Sequence, residues 1–247
     1  MTSLPYNLLF MKNNNIIGIL WGMWPYASLR AYRLLLDLSE VYRVWGKNHE
    51  FPHIILDNIP VAALIDPDIW PWETISQVRY EYIRLKNAWV NIFLMACNTM
   101  HLYSHEIYGR DISSWDMIIS LIDEMQDYIR TLWHKKVGLL WSERTLESGL
   151  YEVWFLPMGV EIVISSPEKR MRINTIIDTV IAWMAIQKND IEFLQILIRD
   201  YQIAGCESVI LGCTELPIAC QSIDADIPLL DPLEIALRKV CERYYRE

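Results

Sequence analysis

Glycine is scarce in this chain. A protein of 247 residues would hold roughly 17 glycines at the usual share of about 7%, and this one holds 9. Positive charge is also short, with 22 Lys and Arg against 31 Asp and Glu and a formal net charge of −9. That balance excludes a nucleic-acid partner and an anionic membrane surface, because both need a positive stripe to face phosphate. No apolar run approaches the ~18 residues of a membrane span. The opening stretch, Met1 to Asn15, lacks the basic segment and cleavage site of a secretory signal. The cysteines are Cys97, Cys206, Cys213, Cys220 and Cys241, with no Cys-x-x-Cys pair and no regular framework. An odd set of thiols without an export signal is expected to be reduced and cytoplasmic.

Apolar residues are plentiful at 53%, enough for a sizeable core and too many for a disordered chain. Tryptophan is abundant as well, with 11 residues of a type that is normally rare.

The hydrophobic pattern alternates short apolar runs with helical spacing. Strands are expected at Asn15–Leu20, His53–Leu56, Val90–Ala96, Met117–Ile122, Lys136–Leu140, Glu161–Ser165 and Ser208–Leu211. Helices are expected at Ala27–Trp45, Glu73–Ala88, from Ile122 to about Leu132, at Met171–Gln187 and at Asp190–Ala204. Alternation of this kind implies parallel sheets covered by helices.

The chain also repeats itself. Ile17-Gly18-Ile19-Leu20-Trp21 matches Val137-Gly138-Leu139-Leu140-Trp141, and the turn at Ala88-Trp89 matches the turn at Ala204-Gly205. Each turn leads through an apolar strand to a cysteine with polar followers, Cys97-Asn98-Thr99 and Cys213-Thr214-Glu215. An internal repeat of about half the chain predicts two pseudo-symmetric lobes facing one another. The expected division is an extension at 1–14, a first lobe from 15–110 with 215–247, and a second lobe from 111–214.

Ligands of open α/β sheets bind beyond the carboxyl ends of the strands, where both Cys97 and Cys213 are expected. A thiol beside the first N–H groups of a helix should have its pKa lowered toward neutrality. Asn98, Thr99 and Thr214 add donors suited to a carboxylate. Two thiols from two facing lobes suit one reaction in particular: a proton leaves one face of a carbon and another arrives at the opposite face, so one sulfur is thiolate while the other is thiol. A lone cysteine with a histidine would instead suggest acyl transfer.

Met95-Ala96-Cys97-Asn98-Thr99-Met100-His101 resembles the ACNTAH motif of the aspartate/glutamate racemase superfamily, and Leu211-Gly212-Cys213-Thr214-Glu215-Leu216-Pro217 resembles its LGCTELP motif. Ile17 to Ser28 is similar to the family's IGILGGMGPxAT opening, and Ser148-Gly149-Leu150-Tyr151 to the SGLY that follows its second-lobe start. Glu215 and the Trp21-Gly22-Met23 stretch point to the aspartate or broad-specificity branch. The resemblance implies an α/β fold of two flavodoxin-like (Rossmann-like) lobes with an interlobe active site. It also implies a racemase of aspartate, glutamate or a related amino acid that needs neither pyridoxal phosphate nor metal nor any other cofactor. Cys97 and Cys213 would be its acid and base. Asn98, Thr99, Thr214, Glu215, Met23, Ser28 and Asn58 would line the substrate pocket. Lys169, Arg170 and Arg172 are candidates for a distal carboxylate, and His101 for either catalysis or capping. A homodimer, a hydantoin-racemase or maleate-isomerase type of thiol chemistry, and a non-catalytic binder of acidic metabolites stay open.

Trp21 and Trp24 stand where that opening motif has glycine, and Trp89 stands where the second repeat has Gly205. Trp133 lies in a turn before a strand and Trp141 at a strand end. Trp45, Trp70, Trp72, Trp115, Trp154 and Trp183 fall in expected loops, at helix ends or where glycine would be tolerated, so all 11 are expected to be glycine-type positions.

Overall fold

The computed structural model describes residues 15–21, 24–43, 47–61 and 71–246. Among these residues eight strands run β1 (Ile17–Trp21), β2 (Ile54–Asn58), β3 (Ile92–Met95), β4 (Met117–Ile119), β5 (Lys136–Leu140), β6 (Glu161–Ile164), β7 (Ser208–Leu211) and β8 (Leu229–Leu230). They form two four-stranded sheets of order β2-β1-β3-β4 and β6-β5-β7-β8, parallel throughout. The helices are α1 (Pro25–Ser39), α2 (Pro71–Asn87), α3 (Ser104–Tyr108), α4 (Leu121–Leu132), α5 (Glu143–Glu147), α6 (Leu150–Phe155), α7 (Pro167–Ile181), α8 (Lys188–Ile203), α9 (Leu216–Ala219) and α10 (Pro232–Tyr245). The fold is therefore two α/β lobes. None of the helices among the described residues is long and apolar enough to cross a membrane.

The central strands carry apolar residues on both faces because helices cover both. Every residue of β3 (IFLM) and of β7 (SVIL) is buried, as a sandwiched parallel sheet requires. The first strand of each lobe carries a glycine where a packed side chain leaves no room for a Cβ. A Cβ on Gly18 would stand 2.6 Å from Val90 Cγ1, and one on Gly138 would stand 2.7–3.0 Å from the Tyr201 ring. Tyr201 cannot swing away cheaply, since its hydroxyl donates to the Leu139 carbonyl at 2.8 Å. Gly138→Ala is accordingly expected to destabilise the protein by about 1–3 kcal/mol. A urea titration should show a lower midpoint with an unchanged slope.

The lobes exchange helices, which corrects the expected boundaries. Met117–Ile119 is the edge strand of the first sheet and Leu229–Leu230 the edge strand of the second. The chain thus crosses after residue 119 and again after residue 230, not near 110 and 213. The strand expected at 117–122 stops at Ile119 because Ser120 caps the following helix, its Oγ accepting from the Asp123 N–H at 3.2 Å. Helix α4 then sends Ile122, Met125 and Ile129 into the core of the second sheet. Helix α10 mirrors it. Asp231 caps it by accepting from the Leu233 N–H at 3.0 Å, and Leu233, Leu237 and Val240 pack into the core that holds β1, β3 and α1. Both caps sit at the carboxyl ends of edge strands, so both crossings border the cleft. The 1–14 extension lies outside the described residues.

Candidate active site

Strand β3 delivers Cys97. Past Met95 the chain turns, with the Cys97 N–H donating to the Met95 carbonyl at 2.9 Å, and a short 3-10 helix begins at Thr99. Cys97 is buried. Burial pushes its thiol well above the usual range. The N–H groups of Met100 and Thr99 and the Thr99 hydroxyl pull the other way, and the Glu215 charge pushes it further up.

Strand β7 delivers Cys213, which is half-buried. Its Sγ donates to Glu215 Oε2 at 2.7 Å, and the Thr214 hydroxyl donates to the same oxygen at 3.1 Å. Burial, then Glu215, then the charge of Cys97 hold the Cys213 thiol well above its ordinary value. Burial also raises the Glu215 carboxyl, while Cys213, Thr214 and Arg30 lower it. The two cysteine motifs are thus near enough to act on one another electrostatically, and Glu215 acts on both. The expected lowering of the thiol pKa values does not hold here. The helix-end N–H groups act in the expected direction, but desolvation and a buried carboxylate outweigh them.

The second lobe reaches the residues that follow Cys97 through side chains beyond β5. Thr145 Oγ1 lies 2.8 Å from Thr99 Oγ1 and 2.7 Å from Ser142 Oγ. The Tyr151 hydroxyl donates to Asn98 Oδ1 at 3.4 Å, and its pKa is raised by burial and by the charges of Asp231 and Cys213. From the first lobe, Arg30 on α1 pairs with Asp231, while its Nη1 is buried without a partner among the described residues. Arg30 is the cation near this centre that sequence reasoning missed, since a lone arginine mid-helix carries no local signal. Tyr151 had one, in the SGLY phrase, but nothing local connects it to Asn98.

The remaining candidates divide. Asn98, Thr99, Thr214 and Glu215 gather at the two cysteines. Ser28 donates to Asn58 Oδ1 at 2.8 Å, tying α1 to the end of β2. Met23 lies outside the described residues. Lys169 and Arg172 turn to α8, pairing with Asp200 at 2.6 Å and Asp190 at 3.3 Å. Arg170 instead reaches Glu143, at 3.5 Å, beside Ser142.

His101 serves the framework. Its Nε2 accepts from the Leu121 N–H at 3.1 Å and its Nδ1 lies 2.6 Å from the Cys97 carbonyl. Accepting at Nε2 puts the proton on Nδ1, so the neutral ring ties the Cys97 turn to the first residue of α4. Burial pushes its pKa down to about 4. The unfolded ring takes up a proton near pH 6.5, so this contribution is full above that pH. It is lost as pH falls toward 4, a change of about 3 kcal/mol. Chemical denaturation at pH 7 and 4.5 should show a smaller loss for His101→Gln than for the parent.

The family model for Asp/Glu/hydantoin racemase matches residues 26–240. The broad specificity amino-acid racemase RacX of Bacillus subtilis (strain 168) is 23% identical over 221 residues, covering 87% of this chain and 92% of that protein. The crystal structure of an aspartate racemase homologue from Pyrococcus horikoshii OT3 is similar with a TM-score of 0.74 and 25% identity, over 94% of this chain and 99% of that one. The Picrophilus torridus aspartate racemase gives a TM-score of 0.70 and 21% identity, over 94% and 100%.

Proposed function

Because the chain belongs to the Asp/Glu/hydantoin racemase family, we propose that it racemises aspartate, glutamate or a related amino acid by moving protons between Cα and two thiols. What supports this reading is that two repeat-related cysteines stand beyond the carboxyl ends of β3 and β7, each with polar followers, and that a carboxylate lies against one of them. Glu215 accepts from Cys213 and its charge acts on Cys97.

Both thiols rest protonated, and each needs a different activation. Cys213 has an acceptor already in contact: proton transfer from Sγ to Glu215 Oε2 leaves a thiolate that can take the Cα proton from one face. Cys97 then gives its proton to the opposite face and becomes the thiolate itself. The reverse reaction starts from Cys97, whose thiolate is favoured by the Thr99 and Met100 N–H groups. Substrate ammonium adds positive charge beside Glu215 and eases ionisation of both sulfurs. The substrate α-carboxylate suits the donors of Asn98, Thr99 and Thr214. A side-chain carboxylate would look to Arg30 or Arg170.

A second reading, metabolite binding without turnover, is favoured by how closely the residues pack. Asn98, Thr214 and Glu215 are each 4% exposed. Proton NMR in deuterated buffer separates the two. L- and D-forms of aspartate, glutamate and a panel of neutral and basic amino acids are incubated with the protein. Loss of the Cα–H signal together with decay of optical activity is expected for at least one substrate. Binding without exchange across the panel would reject racemisation.

A further inference from the structure

The described residues include three non-glycine positions with positive φ, and all three are tryptophan: Trp89 at 68°, Trp133 at 58° and Trp183 at 60°. No tyrosine or phenylalanine joins them. The left-handed region disfavours any side chain with a Cβ, and a bulky residue there is an outlier.

Each of the three closes a helix in the manner that glycine normally does. After α2 the Trp89 N–H donates to Lys86 O at 3.1 Å and the Val90 N–H to Leu85 O at 3.2 Å. After α7 the Trp183 N–H donates to Val180 O at 3.1 Å and the Met184 N–H to Thr179 O at 3.0 Å. This pair of bonds is the Schellman closure, whose left-handed residue is usually glycine. The Trp133 N–H makes the inner bond after α4, to Arg130 O at 3.1 Å. The chain supplies its own control. After α8 the same two bonds, from Gly205 to Gln202 and from Cys206 to Tyr201, surround a glycine at φ 83°. Trp89 and Gly205 are equivalent residues of the two repeats.

The indoles gain little in return. Trp89 is 84% exposed, Trp133 80% and Trp183 66%, although tryptophan is highly buried on average. Two surface grooves, of about 300 and about 590 Å³, are bordered by Trp183 and by Trp133 respectively. Beyond the cleft end of β5 the difficulty is reversed. Trp141 is buried, and its Nε1 has no hydrogen-bond partner among the described residues. Its ring centroid is 3.7 Å from that of Tyr151, closer than the usual 4.5–7 Å. The same ring fills the space at Gly212, next to Cys213.

We propose that the functional chain carries glycine at 89, 133, 183 and 141, and at 21 and 24 where the opening motif has glycine, because its gene uses UGA codons that the source cell reads as glycine. One cause then accounts for the shortage of glycine, the surplus of tryptophan, the three left-handed turns and the crowded cleft. Glycine at 141 removes the indole packed on Tyr151, whose hydroxyl meets Asn98, and so enlarges the space beside both cysteines.

The codons test this directly. TGA is expected at 89, 133, 183, 21, 24 and 141, and TGG at any of the three left-handed positions overturns the proposal. Peptide mass spectrometry of the protein isolated from its own cells should find glycine there, and tryptophan would overturn it. Neither readout depends on the racemase reading. The backbone argument has its own test in the triple variant W89G/W133G/W183G, which should melt higher than the tryptophan form by roughly 5 °C or more. An equal or lower melting temperature would overturn that argument.

Discussion

Cys97→Ala and Cys213→Ala are each expected to lower kcat for racemisation by at least about 10²–10⁴-fold, the usual worth of one positioned acid or base. Neither loss should be rescued by raising substrate. The removed sulfur is the proton's source or destination on one face, and the titratable group beside Cys213, Glu215, serves the thiols and not Cα in this reading. Asn98, Thr99 and Thr214 do not titrate in the working range. Cys206, Cys220 and Cys241 are buried elsewhere; Cys241, for example, packs beside Ser39 at 3.8 Å. Alanine at 97 leaves a small buried cavity, so melting curves of both variants should stay close to the parent. Racemisation within threefold of the parent in either variant would mean that its thiol is not a base.

Glu215→Gln should cut kcat/KM by about 10²-fold, equally in both directions, because two enantiomers have the same free energy. Glutamine retains the size and an acceptor oxygen for the Thr214 hydroxyl, but it cannot take the Cys213 proton. The variant also removes a buried negative charge that raises both thiols. The rising limb of the pH–rate profile should therefore move to lower pH even as the plateau drops. A merely structural glutamate would change the plateau and leave the limb in place. Glu215→Asp, which keeps the charge on a shorter arm, should recover part of the rate.

The strands were legible because parallel, doubly covered strands are nearly continuous apolar runs. Lys136–Leu140 and Ser208–Leu211 have the bounds that their sequence suggests. The paired cysteine motifs were legible through the internal repeat. Three features were not. The apolar stretch Met117–Ile122 conceals a change from strand to helix, which rests on one serine cap. The two-residue β8 is too short to leave a pattern, so the exchange of α4 and α10 between lobes was invisible. Thiol acidity was misjudged because helix-end N–H groups can be inferred from order along the chain, whereas burial and the Glu215 contact are products of tertiary packing. Arg30 and Tyr151 belong to the same class, brought to the cysteines by partners far along the chain, Asp231 and Asn98.

Two-base racemisation is tested most directly by solvent-deuterium exchange at Cα with single enantiomers and the two cysteine variants, once a substrate is in hand. The parent should incorporate deuterium from either enantiomer with inversion. Cys97→Ala should exchange one enantiomer without inverting it, by way of Cys213, and Cys213→Ala should exchange only the other. Exchange of the same enantiomer by both variants, or continued inversion by either, would contradict a mechanism in which the two thiols serve opposite faces of one carbon.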